Sequence, residues 1–206
     1  MVQFKLADLI RFVCAVLTSN SRACVLRSYE NEEMSELLYD SCRIWEACRA
    51  TSAATTFFDP IEIGPYNQKF ADGAVAYNNP IQLVYREAET LWPSKIREAM
   101  LISIGTGSAP SPALEGNLLS VVKVLKDIVV QTESTADDFF SDHLHMTNKE
   151  LLYRFNVYHG LAEIGLEEFK EKRRIADATH AYLTAGETRQ RWRKCVQKLG
   201  LEVQSG

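Results

Sequence analysis

Apolar and polar positions along the chain fall into short runs whose period switches between two and about 3.6, the pattern of strands alternating with helices. Phe12–Leu17 (FVCAVL) is an unbroken apolar run with the composition of a buried strand. Ala23–Ser28 (ACVLRS) reads as its partner, and Asn20-Ser21 between them is turn chemistry, so the two predict a hairpin. From Ser35 the pattern changes. Leu38, Cys42, Trp45 and Cys48 recur at helical spacing and predict one apolar helix face, with Ser35 as the cap. The small residues Ala50, Ser52, Ala53 and Ala54 at its end predict close packing against another element, and Pro60 closes the region.

Gly64-Pro65-Tyr66-Asn67 is a loop signal. Lys69–Ala74 (KFADGA) then predicts a short strand that stops at a glycine turn. Asn79 and Pro80 are suited to open a helix that runs to about Leu91. Ala99–Ile104 (AMLISI) predicts a buried strand ending at Gly105-Thr106-Gly107, followed by a loop from Ser108 to Gly116. Helices are predicted at Asn117–Thr132 and Ala136–His145, a strand at Leu151–Val157, and helices at Leu166–Leu183 and Glu187–Leu199. The alternation favours an α/β fold in a single domain, residues 1–206, with a helical C-terminal region at 117–200.

Composition narrows the function classes. The 206 residues are 46% hydrophobic and 24% charged, ordinary for a globular protein. The net charge of -4 points to no nucleic-acid partner. The charge is uneven: the stretch from Glu167 onward carries nine Lys/Arg against six Asp/Glu. Five cysteines without dense spacing, no CxxC pair and no Asn-x-Ser/Thr site fit a reducing, cytoplasmic location better than a disulfide scaffold. The apolar run at Phe12–Leu17 is too short for a signal-peptide core, and the apolar stretch Leu118–Val130 is broken by charges.

Several motifs invite chemistry and do not sustain it. Gly105-Thr106-Gly107 after a strand suggests a phosphate loop, but the third glycine of that fingerprint would fall at Pro110. Asp142-His143-Leu144-His145 lacks a third metal ligand and reads as a solvated helix end, and His159 and His180 stand alone. No metal and no cofactor is therefore expected. The helix at Glu187–Leu199 sets Trp192, Val196 and Leu199 on one face among five basic residues. It reads first as a helix docked on the core, with peripheral contact to an anionic membrane as the alternative.

Taken in order, several segments resemble the patatin-like phospholipase family. Phe12-Val13-Cys14-Ala15, Arg27-Ser28-Tyr29, the run Trp45–Ala54 (WEACRATSAA) and Phe57-Phe58-Asp59-Pro60 are similar to successive pieces of it. Phe70-Ala71-Asp72-Gly73-Ala74 matches its DGA/G motif, Asn78-Asn79-Pro80 its NNP, and Ile102–Gly107 its strand ending in GTG. The match is best over residues 12–107, with Tyr153–Val157 a weaker echo. The resemblance implies the C-terminal part of a three-layer α/β/α sandwich with an incomplete sheet. It implies lipid acyl hydrolysis of the phospholipase A type, in lipid catabolism, by a Ser-Asp dyad acting on lipid or phospholipid esters. By the same resemblance Asp72 is the dyad's proton acceptor, with Gly73 providing the turn and Ala74 leaving space beside it. Read locally, Asp72-Gly73 is also ordinary turn chemistry.

The chain departs from the family at one decisive place. The family's glycine-rich oxyanion loop and G-x-S-x-G elbow are not in the sequence, and Gly105-Thr106-Gly107-Ser108 has its serine out of register. A truncated hydrolase, inactive in isolation, is the expectation. A non-catalytic relic or interaction module of the same fold is the alternative.

Overall fold

A computed structural model describes residues 10–31, 36–54, 57–107, 132–161, 164 and 168–201. The expected cap at Ser35, the loop Ser108–Gly116, the apolar stretch Leu118–Val130 and all but the last residue of the expected helix Asn117–Thr132 lie outside these residues. The chain groups into two compact units, Met1–Pro80 and Ile81–Gly206.

In the first unit, β1 (Phe12–Leu17) and β2 (Arg22–Arg27) form the hairpin, antiparallel from Phe12↔Arg27 to Leu17↔Arg22. Its turn is built as the residues require. Ser21 takes a left-handed φ of 54°, and the Asn20 side-chain oxygen accepts the Arg22 N–H at 3.0 Å. β3 (Ile61–Ile63) and β4 (Gln68–Asp72) form a second hairpin across Gly64–Asn67, where Gly64 and Asn67 both have positive φ. β4 pairs with β1, giving an antiparallel sheet in the order β2-β1-β4-β3. Ala15, Leu26, Ile63 and Phe70 from this sheet form the core with Leu38 and Ala50.

The helix expected from Ser35 to Ala54 is two helices, α1 (Glu36–Ser41) and α2 (Ile44–Thr51). Between them Arg43 is extended, and its N–H donates to the Glu46 carboxylate at 2.7 Å, which starts a new helix. The restart shifts the phase. Leu38 and Cys42 pack on the core as expected, but in α2 the inward residues are Ala47 and Ala50. Trp45 is 58% exposed and Ile44 is 82% exposed. After β4 comes α3, a single turn at Ala74–Tyr77.

The second unit begins with α4 (Ile81–Leu91) and a 3-10 turn at Ile96–Glu98. β5 (Leu101–Ile104) and β6 (Leu152–Phe155) pair in parallel, with Leu101 opposite Leu152 and Ile104 opposite Phe155. Between them lie α5 (132–142) and α6 (Leu144–Asn148). A 3-10 turn at Phe169–Glu171 leads into α7 (Lys172–Thr184), followed by α8 (Gly186–Lys198). Both faces of β6 are covered, but β5 is less buried than its apolar run predicts: Ile102, opposite Tyr153, and Ile104, opposite Phe155, are exposed. Phe139 and Met146 pack on Leu101 and Leu152 on one face, and Cys195 packs on Tyr153 and Phe155 on the other. The fold class is therefore a mixture of helices and open sheets that fits part of a patatin-like α/β domain.

α8 docks on the core, but of the expected face only Val196 is buried, with Trp192 and Leu199 partly exposed. Cys195 and Val196 are buried, and the Trp192 ring meets Phe155 edge-on at 5.8 Å. The expectation for His143 needs correction. It sits at the break between α5 and α6, stacked on Phe139 with ring centroids 4.0 Å apart and close to Tyr85. It is a packing residue rather than a solvated helix end, because the break turns its ring onto those aromatics. His159 and His180 are exposed. Among the described residues no helix is long and apolar enough to cross a membrane.

Candidate active site

Asp72 is the last residue of β4, opposite Ala15 of β1. Two main-chain contacts fix it. Its N–H donates to the Ala53 carbonyl at 3.0 Å, and its Oδ1 accepts the Ala74 N–H at 2.7 Å. The first bond ties the strand end to the segment leaving α2. The second uses an otherwise orphaned donor at the start of α3. The side chain is partly exposed, and among the described residues Oδ2 accepts no hydrogen bond. One carboxylate oxygen is thus anchored and the other is open, an arrangement that can take a proton from a neighbouring group.

The small residues around it have a clear reason. Ala50 and Ala53 are fully buried, which lets α2 and its exit approach the sheet closely. This is the close packing that the Ala50–Ala54 composition predicts. Arg49 braces the same exit from outside. Its guanidinium donates to the Asp59 carbonyl at 2.8 Å and lies over the Phe58 ring at 4.9 Å.

Gly73 is needed for a different reason from the one its sequence suggests. Its φ of -74° is one that any residue adopts. A methyl group there would overlap the Cys14 carbonyl and stand 2.8 Å from the Cys14 Cβ. Glycine is required by close approach to β1, and the turn itself would tolerate a side chain. Ala74 opens α3 and supplies the N–H that holds Asp72. Cys14 beside them is buried, and burial pushes its thiol up to about 11, so it stays protonated at neutral pH.

The glycine loop after β5 is structural in its surroundings. Asn156 is buried, and its Oδ1 accepts the Gly107 N–H at 2.8 Å. Its Nδ2 donates to Glu133 at 3.1 Å, and Glu133 also takes Arg154 at 2.5 Å. Arg154 in turn donates to Ser103 at 2.8 Å. Sequence reasoning missed this network, because its partners lie between 21 and 51 residues apart in the chain. Among the described residues no group of three His, Cys, Asp or Glu side chains is placed to hold a metal.

Residues 4–85 match the family model "Patatin-like phospholipase", and these residues include Asp72 and its whole setting. The chain is 33% identical over 132 residues to phospholipase A I of Arabidopsis thaliana, 62% of this chain and 10% of that protein. It is 28% identical over 141 residues to the rabbit (Oryctolagus cuniculus) calcium-independent phospholipase A2-gamma, 67% of this chain and 18% of that protein. The human (Homo sapiens) calcium-independent phospholipase A2-gamma is 27% identical over 114 residues. The chain thus spans less than a fifth of the length of these relatives. Residues 4–85, which hold the Asp72-Gly73-Ala74 turn, resemble the patatin-like phospholipase family.

Proposed function

We propose that this chain contributes the general-base carboxylate, Asp72, to a serine acyl hydrolase that cleaves phospholipid or related esters. The observation that carries this reading is the setting of Asp72. One carboxylate oxygen is held by the Ala74 N–H, the main chain is held by Ala53, and Oδ2 accepts no hydrogen bond among the described residues. In the reaction the Oδ2 lone pair accepts the serine hydroxyl proton as the serine oxygen attacks the ester carbonyl. The family match over residues 4–85 and the phospholipase relatives support the substrate class.

The chain has no G-x-S-x-G elbow and no glycine-rich oxyanion loop. Losing one oxyanion donor alone costs about 10²–10³ in rate, and here the nucleophile is missing as well. We infer that the 206 residues alone do not turn over an ester. Labelling with a fluorophosphonate probe tests this. The chain should take up none, and stoichiometric labelling of any serine would refute the reading.

A further inference from the structure

β6 is buried along its whole length yet paired along one side. The hydrogen bonds show which groups are used. Leu101 N–H donates to the Leu151 carbonyl and Gly105 N–H to the Phe155 carbonyl, each at 2.7 Å. The Leu151 carbonyl and the main-chain groups of Tyr153 and Phe155 therefore face β5, while the Leu151 N–H donates to the Met146 carbonyl. In a parallel ladder the alternate residues turn theirs the other way. Leu152 and Arg154 thus present their N–H and C=O groups to the free edge, which no strand covers among the described residues. Asn156, next in this series, has its N–H satisfied by the Tyr182 hydroxyl at 3.2 Å. Buried main-chain groups are nearly always paired, and a free edge is a template for another strand.

The edge opens into a crevice of about 600 Å³. One wall is α5, with Glu133 and Asp137, and the other is α8, with Arg191 and Lys194. Tyr153 and Arg154, which line it, are 4% and 8% exposed, and each keeps a buried polar atom without a partner: the Tyr153 hydroxyl and the Arg154 Nε. Main-chain and side-chain groups therefore await partners in the same place.

We propose that this crevice receives an extended strand of a partner protein, which adds to the edge of β6 between α5 and α8. The walls define its chemistry. Side chains of an added strand alternate between the two walls. Glu133 is engaged by Arg154 and Lys194 by Glu150. Asp137 and Arg191 line opposite walls and make no ion pair among the described residues. A strand with a basic residue facing α5 and an acidic residue at the adjacent position facing α8 complements both. This inference is independent of the role of Asp72.

The probe is a fluorescein-labelled, amide-capped peptide, Thr-Val-Lys-Glu-Val-Thr, titrated with the full 206-residue chain by fluorescence anisotropy. Two further peptides carry main-chain N-methyl groups on one or the other alternate set of residues. One set faces β6 and the other faces away, so one methylated peptide should lose about tenfold or more in affinity while the other binds as the parent does. The double variant Asp137→Lys/Arg191→Glu should bind the parent about threefold or more weakly and favour the peptide with Lys and Glu exchanged. Absence of parent binding at millimolar chain, or equal affinity for all three backbones, would overturn the proposal.

Discussion

The main-chain N–H of Asp72 is bonded to the carbonyl of Ala53 at 3.0 Å, which locks the end of β4 to the exit of α2. Small residues in that exit therefore serve the carboxylate, since they bring α2 close enough for the bond to form. Ala53→Val places a branched side chain where no surface is exposed. It should destabilise the first unit by about 1–3 kcal/mol, read as a lower midpoint of urea unfolding. An unchanged midpoint would mean that the contact is loose.

Gly73 offers a sharper steric test. Gly73→Ala must push against main-chain atoms of Cys14, which have nowhere to move within the sheet. The expected loss is about 2 kcal/mol or more. Gly186→Ala is the control: an added methyl there meets no atom within 4 Å, and it sits at the start of α8. That change should be neutral or stabilising by up to about 1 kcal/mol. Equal effects of the two substitutions in denaturant unfolding would contradict the packing described.

The thiols should react in order of burial. Cys14, raised to about 11 chiefly by burial, has roughly one thiolate in a thousand at pH 8. Cys48 is exposed. Iodoacetamide followed by peptide mass spectrometry should modify Cys48 first and Cys14 only on unfolding. The same shift sets a pH dependence. A thiol raised from 9.0 to about 11 in the folded state contributes stability that is complete below pH 9 and is lost as the pH rises toward 11. Unfolding midpoints that stay flat over this window in wild type, or fall equally in Cys14→Ala, would contradict the assignment.

Much of the first unit was legible because its signals are local. The FVCAVL run, the Asn20-Ser21 turn and the order of segments around Asp72-Gly73-Ala74 need few long-range contacts to read. The face of α2 was misread because the helix restarts at Arg43, and periodicity assumes an unbroken helix. The role of Gly73 was misread because a close approach to β1 leaves no trace in the residues next to it. The Asn156, Glu133 and Arg154 network was invisible for the same reason, since its members meet only after folding.

Ile44, Trp45, Phe57 and Phe58 are exposed large apolar residues of the first unit. An apolar surface of this kind drives association. Sedimentation of the chain should show self-association at micromolar concentration, and Ile44→Glu/Trp45→Glu should return it to monomer with the fold retained by circular dichroism. A monodisperse wild-type monomer would contradict this.

The central claim is that Asp72 is the base of a hydrolase. It is tested by joining to this chain an upstream segment that carries the family's oxyanion loop and serine elbow, then measuring phospholipid ester hydrolysis with and without Asp72→Asn. The asparagine keeps an oxygen for the Ala74 N–H and removes the base. The account predicts that hydrolysis falls by about 10²-fold or more while the unfolding midpoint holds. Full activity from the Asp72→Asn protein would contradict it.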